Sequence, residues 1–98
     1  MTTAMEIQPL QSTAIGRLPF VRHGITGRVA GLGRADGNIS YSEPRDSDDA
    51  WEMRQLWCRQ MAIDPGTLVT AHQVHGNAVG VVPGAKAGMG SAPGSGLF

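Results

Sequence analysis

Three kinds of side chain in this sequence could do chemistry near neutral pH: histidines, one cysteine, and arginines set among glycines. His75 stands directly before Gly76-Asn77. A strand end that feeds a glycine turn can hold an imidazole over a cleft, with little backbone bulk around it. His72 lies three residues earlier. Residues three apart in an extended strand point to opposite faces, so these two imidazoles would not share one metal ion. One of the pair could be a ligand and the other structural. The default for any single histidine is a surface or hydrogen-bonded side chain.

Cys58 follows Trp57 in a segment of helical pattern, close to an apolar stripe. A buried cysteine behaves as a small hydrophobe, and reactivity needs an accessible, electropositive site. An inert thiol is therefore expected, although Arg54 and Arg59 are near in sequence. Residues 24–37 are rich in glycine and carry Arg28 and Arg34, with Arg22 just before. Glycines bring backbone N–H groups close to an anion, and arginines add charge-assisted bonds. The segment matches neither a Walker A loop nor the dinucleotide fingerprint. A mobile loop is its default reading. Asp46, Asp48 and Asp49 are better explained as helix-capping residues than as a metal cluster.

The elements that must position these groups are few. Ile7, Leu10, Ile15 and Leu18 are irregularly spaced, and Pro9 and Pro19 oppose a helix through either point, so 1–19 reads as an extended entry segment. Residues 20–26 and 38–42 read as short strands, with a glycine loop between them. A helix opens at Asp46-Ser47-Asp48-Asp49. It carries Ala50, Met53, Trp57 and Met61 as one stripe, widened by Leu56, and stops at Asp64-Pro65-Gly66. Residues 67–75 and 78–82 read as two further strands about the Gly76-Asn77 turn. Residues 83–98 hold five glycines and two prolines, and read as a loop that continues in a longer natural polypeptide. The fold class expected is α/β or α+β: a mixed β-sheet with packed helices, 1–98 forming the N-terminal part of a single domain.

Composition narrows the function. Eight basic and eight acidic side chains cancel, which argues against a nucleic-acid binder. The longest apolar run is far below the roughly 20 residues of a membrane span. No apolar secretory leader opens the chain, so a cytoplasmic protein is expected. One cysteine makes no intrachain disulfide framework. Arginine outnumbers lysine seven to one, which suits recognition of phosphate or carboxylate but follows equally from codon bias.

Four features in order resemble the laccase-domain family, also called the multicopper polyphenol oxidase or purine nucleoside phosphorylase family. Gln73-Val74-His75-Gly76 resembles its Gln-Val-His-Gly motif. His23-Gly24-Ile25-Thr26-Gly27-Arg28 looks like its His-Gly-x-x-Thr-Arg strand, with a glycine loop at Gly31. Asn38-Ile39-Ser40 looks like a second family strand. Asp48-Asp49 leads into a helix that contains Arg54 and closes at Asp64-Pro65. The resemblance covers residues 20–82. Gly27 stands where the family has threonine, and Ala30 where it has glycine. Family members are also much longer, and their Thr-Ala-Asp-Cys and His-Ala-Gly-Trp-Arg-Gly motifs have no counterpart here.

In that family the motif histidine binds a metal with a cysteine and a second histidine. The resemblance therefore implies His75 as one of three ligands, with His72 in a supporting role beside the metal and no role for Cys58. A two-histidine, one-cysteine set suits zinc, with copper as the alternative. The implied activity is phosphorolysis of adenosine, inosine or methylthioadenosine, with adenosine deamination as a companion. Purine nucleoside and phosphate are the implied partners, with Arg28 contributing to the phosphate site. A non-catalytic interaction fragment and a copper-dependent phenol oxidase are the competing readings.

Overall fold

The computed structural model describes residues 7–42, 45–71 and 75–98. Its main element is α2, Ser47–Gln60, preceded by a single helical turn, α1, at Thr13–Gly16 between the two prolines. Short 3-10 turns follow at Pro65–Thr67 and Gly84–Lys86.

Helix α2 begins and ends where local chemistry dictates. The Asp46 side chain accepts hydrogen bonds from the backbone N–H groups of Asp48 and Asp49, at 3.0 and 3.1 Å. Asp48 and Asp49 then set negative charge on the positive end of the helix dipole. At the far end, Ile63 N–H donates to the Cys58 carbonyl and Ala62 N–H to that of Arg59. This is a Schellman closure, with Ala62 in the left-handed position (φ 55°) that glycine usually takes. Asp64 then caps the turn at Pro65 through Gly66 N–H.

The expected stripe is the core. Ala50, Met53, Trp57 and Cys58 are buried together with Ile7. Val29, Leu32, Ile39, Leu56 and Met61 pack around them. The glycine loop lies across this face. A Cβ at Gly33, itself left-handed, would stand 2.7 Å from Asp49 Oδ1.

The mixed β-sheet is not found. Among the described residues the β pairing is one isolated antiparallel bridge, Leu10 with Ile25. The described residues of the expected strands are engaged otherwise. In 38–42 the side chains satisfy the backbone instead: Ser40 N–H donates to Asn38 Oδ1, Asn38 Nδ2 to the Ser40 carbonyl, and Ser42 N–H to Ser40 Oγ. Asn and Ser compete with strand pairing in this way. In 20–26 only Ile25 is bridged. In 67–71 the groups of Thr70 are spent on the C-terminal segment, with Met89 and Phe98. Residues 72–74 of the expected 67–75 strand lie outside the described residues. Val79 and Val81 in 78–82 are 93% and 87% exposed, so no second layer packs on them. β-branched composition reports fit to a half-buried pleated surface, and here that surface is absent.

Residues 83–98 fold back against the body. Gly90 and Ser91 are buried, and Thr70 N–H donates to the Met89 carbonyl while Phe98 N–H donates to that of Thr70. Gly90 sits so close under Thr70 that any side chain there would collide with it.

Candidate functional site

The groups singled out by type and spacing do not converge. His75 is exposed, within a bend that includes Gly76. His72 lies outside the described residues. His23 is held elsewhere: its Nε2 accepts the Ser12 N–H at 2.8 Å and its carbonyl accepts from Gln11. Cys58 is buried in the α2 core, and burial pushes its thiol pKa up, with Arg54 opposing and Asp64 adding to the rise. Among the described residues no group of three His, Cys, Asp or Glu side chains is placed to hold a metal ion. Catalytic zinc takes three protein ligands. One exposed imidazole does not meet that need, so the described residues alone do not fit the implied metal.

The glycine loop is organised around a residue that spacing did not single out. Asp36, left-handed at φ 52°, accepts from Gly31 N–H through Oδ1 at 2.9 Å. Its Oδ2 accepts from Arg28 Nε and Nη2 at 3.1 and 2.8 Å. The Gly31 N–H bond first, and Arg28 second, hold the Asp36 carboxyl below its ordinary pKa. The loop thus does what glycines and arginines do for an anion, but the anion is its own carboxylate. Arg28 still borders an open hollow of about 530 Å³ with Thr26, Asn38 and Arg45, its charge already answered by Asp36. Arg34 is paired with Asp46 in the same manner, at the start of α2.

A second arginine centre is built from distant segments. Arg54 projects from α2, and its Nε donates to the Ile39 carbonyl at 2.8 Å. Its Nη1 donates to the carbonyls of Gly90 and Ser91 at 2.7 and 2.9 Å. The guanidinium carbon lies over the Tyr41 ring, and Tyr41 Oη donates to the same Ser91 carbonyl. Burial raises the Tyr41 pKa, against the lowering effect of Arg54. Arg54 lines a hollow of about 490 Å³ with Ser40, Tyr41, Ser42, Thr70 and Leu97. The early signal for this centre was Arg54 within the expected helix.

No helix among the described residues is long and apolar enough to cross a membrane. Compared with protein-family models, curated proteins and solved structures, the chain matches none.

Proposed function

We propose that this chain supplies His75 as one ligand of a transition-metal site in a protein that cleaves purine nucleosides with phosphate. Zinc is the preferred ion and copper the alternative. The observation that carries the proposal is the ordered set of four motifs ending in Gln73-Val74-His75-Gly76. The exposure of His75 supports it, because an accessible imidazole is free to take a metal. The remaining ligands must come from outside the described residues, and no step of the reaction is assigned to this chain alone. The test is His75→Ala in the purified protein, with zinc and copper content and cleavage of adenosine, inosine and methylthioadenosine measured beside the parent. Loss of bound metal together with cleavage is expected. Retention of both overturns the proposal.

The reading as a non-catalytic interaction module is favoured by one observation. Val79, Val81, Phe20 and Leu10 are large apolar side chains left mostly in solvent. A parent protein without bound metal or cleavage, sedimenting as an oligomer, would favour that reading over the enzyme.

A further inference from the structure

Residues 10–25 form an excursion closed at its base. Leu10 and Ile25 exchange two antiparallel backbone bonds there, at 2.9 and 2.8 Å. Above the base, Ser12 N–H donates to His23 Nε2 and Gln11 Nε2 to the His23 carbonyl, while Ser12 Oγ caps the turn of α1. Val21 N–H donates to the Leu18 carbonyl, which sets Pro19 and Phe20 at the corner of a turn. The loop thus holds a shape of its own without contributing to the core: no residue from 10 to 25 is buried.

Its larger side chains are nonetheless apolar. Phe20 is 82% exposed, Leu10 69% and Ile25 65%, and Leu18 and Ile15 are exposed with them. Large apolar side chains gathered on one segment that buries none of them mark an interaction surface. Arg17 and Arg22 flank the Leu18–Phe20 corner and are exposed, and the loop itself carries no acidic residue. An apolar corner between two cations suits the interface of a bilayer. The ring and branched chains enter the acyl boundary, and the guanidinium groups stay at anionic headgroups. A protein partner asks instead for about 20–30 residues a side, more than this loop contains.

We infer that the 10–25 loop docks the protein reversibly on an anionic lipid surface, with Phe20 and Leu18 inserted and Arg17 and Arg22 at the headgroups. This goes beyond the His75 reading and does not rest on it, because vesicle binding needs neither metal nor nucleoside.

The experiment mixes the full chain with phosphatidylcholine vesicles, with and without phosphatidylserine, at low and high salt, and reads the bound fraction by cosedimentation. Binding that requires phosphatidylserine and weakens with salt is expected. Phe20→Ser should weaken it roughly tenfold or more, since the inserted ring is lost. Arg17→Gln and Arg22→Gln should each weaken it about fivefold. Val79→Ser, which removes an exposed apolar side chain outside the loop, should leave it unchanged. The altered side chains are all exposed, so the circular dichroism of every variant should match the parent. Absence of vesicle binding overturns the inference, as does equal binding without phosphatidylserine or a Phe20→Ser chain that binds as tightly as the parent. A chain that ignores vesicles but captures poly-glutamate, or forms an oligomer that Phe20→Ser dissociates, also overturns it and assigns the loop to an acidic protein or to a second copy.

Discussion

The guanidinium carbon of Arg54 lies 3.7 Å from the centre of the Tyr41 ring, and both side chains bond the carbonyl of Ser91. One helix residue and one loop residue thereby clamp the C-terminal segment. Removing Arg54 takes the side-chain donor from the Ile39 carbonyl, while the Gly90 and Ser91 carbonyls keep the Thr70 and Tyr41 hydroxyls. Arg54→Ala should destabilise the fold by about 1–3 kcal/mol, the cost of one carbonyl left without its donor. Tyr41→Phe keeps the ring and loses the hydroxyl bond, at about 1 kcal/mol. Denaturant unfolding of both single variants and the double variant checks this. A coupling of about 0.5–1 kcal/mol is expected through the shared Ser91 carbonyl, because Tyr41→Phe keeps the ring under Arg54.

Ala62 closes α2 in a backbone conformation that costs a residue with a Cβ about 1–2 kcal/mol. Ala62→Gly should raise stability by about 1 kcal/mol, less a small increase in unfolded-chain entropy. Ala62→Val should lower it. Thermal unfolding followed by circular dichroism at 222 nm gives the sign directly.

Asp36 and Asp46 are both held below the ordinary carboxylate pKa. The Gly31 N–H leads for Asp36 and the Asp49 N–H for Asp46, with Arg28 and Arg34 second. A group whose pKa is depressed by folding contributes stability that is present above its unfolded value and lost as pH falls through its folded value. The glycine loop and the first turn of α2 should therefore hold through mildly acidic pH and loosen below the usual carboxylate range. Amide shifts of Gly31, Asp48 and Asp49 across an acid titration report it. Asp46→Asn retains a capping oxygen and should keep most of the helix, while Asp46→Ala loses the cap and should fray its first turn.

Cys58 is buried in the core, and its thiol pKa is raised, first by burial. It should react with a disulfide reagent only on the timescale of unfolding at pH 8. In denaturant the same thiol should react at once. Fast labelling of the native chain would contradict this placement.

Helix α2 was legible in the sequence because its causes are local. The capping aspartate, the acidic first turn, the stripe from Ala50 to Met61 and the stop at Asp64-Pro65 all act within a few residues of one another. The same pattern placed Trp57, Met53 and Ala50 in the core and Cys58 beside them. The strands were not legible in this way, because a strand exists only when another backbone takes its hydrogen bonds. Asn38 and Ser40 used side chains for that purpose, and Thr70 used the C-terminal segment. Two arginines also came to differ in their partners. Arg28 met Asp36 across a tight glycine loop, while Arg54, among the described residues, met the carbonyls of residues 39, 90 and 91 and the Tyr41 ring. Residue type determined that both would carry charge. Which charge is answered from within the chain depends on contacts between segments far apart in sequence, and the tertiary structure alone decided it.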